Sequence, residues 1–186
     1  NQALYGGGVA TMSSARTVLE GAVIRNNTAQ SLGGGVYIQG DQNNDNLDTT
    51  FEMVSGSITG NEVTNGYGGG IAGRYFTGTA LIKISGGTID DNQAGTGRGD
   101  AIGLLDCDND MYPTLQLSGA PEINGEVLLL DNDNNPCTVQ VTGTFNPVNP
   151  VVIRNNSGIA GTDLVQYASG ITPELSHFST AKTGYI

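Results

Sequence analysis

The sequence has no tryptophan, one histidine, two cysteines and six prolines in 186 residues. With His177 alone, no Ser/His/Asp or Cys/His set has credible members. Basic residues are also scarce: seven Lys and Arg stand against eighteen Asp and Glu, a net charge of −11. That balance argues against nucleic acid or an anionic membrane surface as a partner, and any ligand drawn by charge would be cationic. Only 13% of residues are charged, which excludes a Glu/Lys helical bundle and a highly charged disordered tail. The longest apolar run, Val127 to Leu130, cannot span a bilayer, and no basic start followed by an apolar segment marks a signal peptide. The chain begins at Asn1 without Met and reads as an excised piece of a larger protein. What it has in abundance is glycine, 29 residues, together with Asn, Thr and Ser, the composition of many turns and short strands. The length suits one domain with a real core.

The chain repeats itself. Gly6-Gly7-Gly8-Val9-Ala10 recurs as Gly33-Gly34-Gly35-Val36-Tyr37, as Gly68-Gly69-Gly70-Ile71-Ala72, and in degraded form as Gly99-Asp100-Ala101-Ile102-Gly103. Val9, Val36, Ile71 and Ile102 are separated by 27, 35 and 31 residues. A second register runs through Gly21, Gly56, Gly86, Gly119 and Gly143, each preceded by Glu, Ser or Thr. A third ends the units with Ile24-Arg-Asn-Asn27, Ile58-Thr-Gly-Asn61 and Ile89-Asp-Asp-Asn92, with a weaker echo at Ile123-Asn-Gly-Glu126. Late in the chain, Val152-Ile-Arg-Asn-Asn156 repeats Val23-Ile-Arg-Asn-Asn27 letter for letter.

Three short registers per unit, each with one or two alternating apolar residues, fit strands on successive faces of a coil and do not fit helices. The pairs Phe51/Met53, Leu81/Lys83 and Leu115/Leu117, each followed closely by Gly, approximate strand alternation. A single coil cannot bury its own apolar face, so stability must come from stacking about five coils, roughly 4.8 Å apart, around a shared Val/Ile/Leu interior. The expected fold is therefore all-β, a single-stranded parallel β-helix. Asn27, Asn61 and Asn92 fall at equivalent corners, where stacked amides form a structural ladder. A β-sandwich, with Asn65-Gly66 as a hairpin turn, is the competing architecture, but registers in fixed order favour the solenoid.

A GGGV(Y) strand paired with an (S/T)GxxIxxN strand resembles the repeats of bacterial adhesin-like surface proteins, in the style of polymorphic outer-membrane and autotransporter passenger domains. Ile24, Ile58 and Ile89 stand where that family's FxxN motif carries Phe. The resemblance covers roughly residues 1 to 126 and implies a right-handed coil. It speaks to architecture more than activity, since the same coil carries stalks, adhesins and polysaccharide-cleaving enzymes. After Cys137 the repeat becomes irregular. Residues 1–145 are expected to be β-helix repeats, and 146–186 the last coil with an irregular C-terminal cap or the start of a next module, because an open solenoid end templates edge pairing.

The unequal stretches are Asp41 to Thr50, Gly73 to Thr79, Asp106 to Pro113 and Asp131 to Pro136, and in solenoids such insertions are often on the binding side. Asp106, Asp108, Asp110, Asp131 and Asp133 place oxygen ligands at spacings hard cations use, the only cofactor expected being Ca²⁺. The EF-hand pattern is incomplete, and turns held by Asx hydrogen bonds account for the same residues. Cys107 and Cys137 lie 30 residues apart, one repeat, and should sit almost above one another. A disulfide there suits an exported protein, with two buried thiols or half a metal site as alternatives. Arg98-Gly99-Asp100 spells an integrin-binding tripeptide but aligns with the glycine strand, as a drifted repeat. Asn26-Asn27-Thr28 and Asn155-Asn156-Ser157 satisfy the glycosylation sequon, yet their asparagines are assigned to the ladder.

Tyr5, Tyr37, Tyr67, Tyr75 and Phe76 offer either an aromatic strip for sugar rings or corner packing, with Tyr37 expected to face outward. Asp90, Asp91, Asp100 and Arg98 are the carboxylate and basic candidates for a polysaccharide lyase or glycosidase. The expected function is an extracellular stalk or adhesin module, a monomeric segment of a larger surface protein without membrane insertion. Its contacts with a host glycan or protein would involve Tyr37, Asp41, Tyr75, Phe76 and Asp110. A polysaccharide-active enzyme, or its inactive descendant, is the alternative.

Overall fold

A computed structural model describes residues 1–41, 48–76, 78–95, 98–107, 113–131, 137–155 and 164–181, with backbone only at 106, 107 and 131. The chain is an all-β parallel solenoid of about five turns. The first coil runs through β1 (Gln2–Tyr5), β2 (Val9–Thr11), β3 (Arg16–Leu19) and β4 (Val23–Arg25). The second repeats it with β5 (Thr28–Leu32), β6 (Val36–Gln39), β7 (Thr49–Met53) and β8 (Ser57–Thr59), and the third with β9 (Glu62–Val63), β10 (Ile71–Arg74), β11 (Ala80–Ile84) and β12 (Thr88–Asp90). Then follow β13 (Ile102–Cys107), β14 (Thr114–Gly119), β15 (Glu122–Ile123), β16 (Glu126–Asp131) and β17 (Val139–Phe145). The chain continues through β18 (Val151–Asn155), β19 (Val165–Tyr167) and, after a single 3-10 turn at Leu175–His177, β20 (Phe178–Thr180). Four parallel sheets result: A (β1-β5-β9), B (β2-β6-β10-β13-β16-β18-β20), C (β3-β7-β11-β14-β17-β19) and D (β4-β8-β12-β15).

The registers put like on like. Val9, Val36, Ile71, Ile102, Val127 and Ile153 are consecutive partners in sheet B, and Ile24, Ile58, Ile89 and Ile123 in sheet D. With Phe51, Met53 and their sheet C partners, these side chains form one continuous core. At period 2, a slip of one residue inverts a strand, and here β11 departs from the expectation: Ile82 and Ile84 pair with Phe51 and Met53 and are buried. Leu81 and Lys83 take the half-exposed positions instead. In the first coil Thr11 and Thr17 stand level with Ile38 and Phe51, and their hydroxyls satisfy each other at 2.8 Å.

At the corner after sheet D, Asn27, Asn61 and Asn92 stack in one column. Asn61 Oδ1 accepts the backbone N–H of Asn27 at 3.0 Å and its Nδ2 at 2.9 Å, and Asn92 Oδ1 accepts the same pair from Asn61 at 3.0 and 2.9 Å. Asn61 Nδ2 also donates to Ile24 O, and Asn92 Nδ2 to Ile58 O, so carbonyls of the coil before are satisfied as well. Asn1 stands level with Asn27, one residue before Gln2 pairs with Thr28, and its amino group donates to Asn27 Oδ1 at 3.4 Å.

Sheet A is a second layer that the three registers did not predict. Leu32 and Tyr67, each just before a glycine run, pack with Tyr37, Ala72, Leu105 and Leu130 in a separate apolar cluster on the outer face of sheet B. All four residues of β6 are consequently buried. The glycine runs make this possible: a Cβ on Gly34 would lie 2.4 Å from Gly69 O and 2.7 Å from the Glu62 backbone. Only a residue without a side chain lets the two layers meet there.

The late repeat differs. Ile123 is level with Ile89 and Val127 with Ile102, so Glu126 occupies the asparagine position of one register and a glycine-run position of the other. The outer strand and its corner are omitted in a single step. The VIRNN echo has no structural counterpart: Val23–Arg25 forms β4 in sheet D, whereas Val151–Asn155 forms β18 in sheet B. Gly143 likewise lies inside β17 and not at a turn. Beyond it, Phe145 stacks on Phe178 with ring centroids 5.5 Å apart and meets the His177 ring edge-on at 5.7 Å.

Candidate functional site

The unequal stretches read from the sequence all leave the same corner, from sheet B to sheet C, whose connections are residues 12–15, 40–48, 75–79, 108–113, 132–138 and 156–164. By contrast, the connections from sheet C to sheet D stay at 20–22, 54–56, 85–87 and 120–121. The predicted stretches begin within strands, since Gly73 and Arg74 belong to β10, Asp106 and Cys107 to β13, and Asp131 to β16, while Thr49 and Thr50 open β7. The corner is acidic: nine of the chain's eighteen Asp and Glu residues, from Asp41 to Asp163, fall in or beside these connections. No Lys or Arg falls within them, and Arg16 and Arg74 border them at the start of β3 and the end of β10, so carboxylates outnumber bases at this corner.

The bases of two successive connections are fastened together. Gly40 N donates to Arg74 O at 3.0 Å, Gly78 N to Asp41 O at 3.1 Å, and Thr49 N to Thr79 O at 2.9 Å. Asp41 is only 1% exposed, so it belongs to this base and does not offer its side chain to a ligand. Phe76 is 45% exposed, and Tyr75 is half-buried beside it.

Tyr37 requires a correction. It does point away from the core, but sheet A covers it: it is 1% exposed, stacks on Tyr5 at 5.2 Å and donates its hydroxyl to Gln39 Oε1 at 2.8 Å. Tyr67 is similarly engaged, with the Arg98 guanidinium 5.5 Å from its ring centroid. The Arg98-Gly99-Asp100 segment is built into the stack, for Gly99 O accepts Gly69 N and Asp100 Oδ1 accepts Ala94 N at 2.8 Å. Asp91 stands exposed at a left-handed corner with φ 55°, next to Asp90 at the end of β12.

Asp108, Asp110 and Asp133 lie outside the described residues, as do the side chains of Asp106 and Asp131. Among the described residues no group of three His, Cys, Asp or Glu side chains is placed to hold a metal ion. Cys107 closes β13, where it is level with Asp131; its side chain lies outside the described residues. Cys137 is fully buried and, counting back from Leu115 opposite Val139, is level with Pro113. The two cysteines therefore flank the sheet B to sheet C corner and are not equivalent positions of successive coils, because the coil has contracted at this point. Searched against protein-family models, curated proteins and solved structures, the chain matches none.

Proposed function

We propose that this chain is an extracellular scaffold, a stalk or adhesin-type module whose stiff solenoid holds one column of acidic, unequal loops outward for attachment to a host glycan or protein. The observation that carries this reading is the column of unequal connections at the sheet B to sheet C corner, while the sheet C to sheet D corner on the other side of sheet C stays short. Loops on a rigid scaffold are where recognition usually resides. Phe76 is the exposed aromatic at that corner among the described residues. Asp106, Asp108, Asp110, Asp131 and Asp133 are proposed to supply carboxylates that take Ca²⁺ and draw cationic groups. A Cys107–Cys137 disulfide across the base of the corner is part of the same exported reading.

The test is retention of the purified chain on a polysaccharide panel and on host surfaces, with and without Ca²⁺. Variants shortened within 42–47 and 108–112 would spare the hydrogen-bonded base at Gly40, Asp41 and Gly78. Loss of retention in these variants supports the reading, and unchanged retention sinks it. New polysaccharide chain ends would replace it with an enzyme.

A further inference from the structure

The first glycosylation sequon was assigned to the asparagine ladder, but its acceptor position is Asn26, the residue before the ladder member. The two side chains part company at that corner. Asn27 turns inward and is 7% exposed, with its amide nitrogen donated to Asn61. Asn26 is exposed, adopts a left-handed φ of 53° and spends its backbone N–H on Thr59 O at 3.3 Å. No hydrogen bond engages its side-chain amide among the described residues.

The same place in the next two coils is taken by Gly60 at φ 63° and Asp91 at φ 55°, so each of these three coils makes a left-handed step here. A Cβ on Gly60 would come within 2.7 Å of Asn26 Oδ1; the missing side chain leaves the flank of Asn26 clear. Thr28, the sequon hydroxyl, opens β5 and is half-exposed. The second sequon differs, since Asn155 is half-buried within β18 and already has a bonded partner.

We propose that Asn26 is an N-linked glycosylation site, with Asn27 and Thr28 completing its sequon. The proposal rests on the extracellular reading, because the donor is an oligosaccharide carried on a polyprenyl pyrophosphate on the export side of a membrane. In the transfer, Asn26 Nδ2 forms a bond to the sugar C1 as the C1–O bond to the pyrophosphate breaks. The amide proton passes to a base of the transferase, and the polyprenyl pyrophosphate leaves. The folded coil then has room for the product: the sugar departs from the corner between sheets D and A, away from the unequal loops.

The experiment is translation of the full chain, behind a signal sequence, with microsomes that carry an oligosaccharyltransferase, followed by intact mass and peptide mapping of the protease-protected fraction. The expected result is one oligosaccharide on Asn26, lost in Asn26→Gln and in Thr28→Ala and retained in Thr28→Ser. Enzymatic release should leave Asp at position 26. A translocated chain with bare Asn26, or with sugar on Asn155 alone, overturns the proposal. A glycan on Asn26 in a chain that translocates but is not secreted supports the site while counting against the extracellular scaffold, so the two failures are distinguishable.

Discussion

The first three coils and the coils after Glu126 are built on the same core but differ in their walls. In the former, sheet A lies over sheet B, an asparagine marks each corner before it, and a glycine run marks the corner after it. In the latter, the chain passes from sheet D to sheet B in the three residues between Ile123 and Val127, and Glu126 stands where the ladder and the glycine run would both be. Asparagine ladder, outer strand and glycine run therefore act as one device. The outer layer buries corner carbonyls such as Ile24 O and Ile58 O, which the amides then satisfy. Where the layer is omitted, the largely buried carboxylate of Glu126 takes that place and pairs with Arg154.

The strongest way to break this comparison is Asn61→Leu. The substitution removes the side-chain partner of Asn27 N, Asn27 Nδ2 and Ile24 O in a site that is fully buried, while Asn92 Oδ1 keeps the Asn61 backbone N–H. At about 1–3 kcal/mol for each orphaned buried group, a loss of about 4 kcal/mol is expected in urea unfolding. Amides of β5 and β9 should lose exchange protection before those of β16 to β18, because solenoid coils communicate through neighbours. Uniform loss along the chain would mean the ladder is not local to the double wall.

Next in size is the proposed Cys107–Cys137 disulfide, which acts on the other region. Closing a loop of about 30 residues contributes about 3.5 kcal/mol on the chain-entropy account. Reduction, or the paired change Cys107→Ala with Cys137→Ala, should lower stability by that order and loosen β13 to β17 first. An unchanged midpoint in reductant would show that the contracted coils stand without a covalent tie.

Glycine gives a paired contrast. Gly34→Ala forces a Cβ onto the Gly69 carbonyl and the Glu62 backbone, where nothing flexible can give way, and about 3 kcal/mol of destabilisation is expected. At Gly143, within β17, the nearest atom to an added Cβ is Ser118 Cβ at 3.4 Å, so Gly143→Ala should stay within about 0.5 kcal/mol of the parent. Comparable losses from both would dissolve the distinction between a glycine run that joins two layers and a glycine in a single wall.

How much of this was legible in the sequence follows from which forces leave a pattern. The parallel solenoid was legible because Val9, Val36, Ile71 and Ile102 repeat a buried apolar type at coil spacing, and the structure pairs those same residues. Sheet A was not, because its buried positions Ala29 and Leu32 break strict alternation, and β9 has only two residues. Missing that layer is what put Tyr37 in solvent. The Leu81/Lys83 assignment failed because Leu81, Ile82 and Ile84 offer two apolar phases, and only pairing with Phe51 and Met53 chooses between them. The unequal loops were legible as insertions on one side of the coil, because each follows a glycine-rich strand; which two sheets flank that side emerges only when the strands are placed.

A small effect is also expected at Glu126, the point where the two regions meet. Its carboxylate pairs with Arg154 Nε at 2.6 Å, with the two side chains 14% and 20% exposed. Leaving one buried charge unpaired is costly, which would predict a large effect of Glu126→Ala or Arg154→Ala. Glu126→Gln, however, keeps an acceptor oxygen facing Arg154, and the guanidinium retains access to water, so a loss within about 1 kcal/mol is expected in urea unfolding. The informative comparison is with Asn61→Leu in the same denaturant. If Glu126→Gln matched the loss at Asn61, Glu126 would be a ladder member in function and the single-walled region would inherit the same corner energetics. A small loss instead separates the Glu126–Arg154 pair from the ladder, and leaves the buried amide column as the property of the coils that carry a second wall.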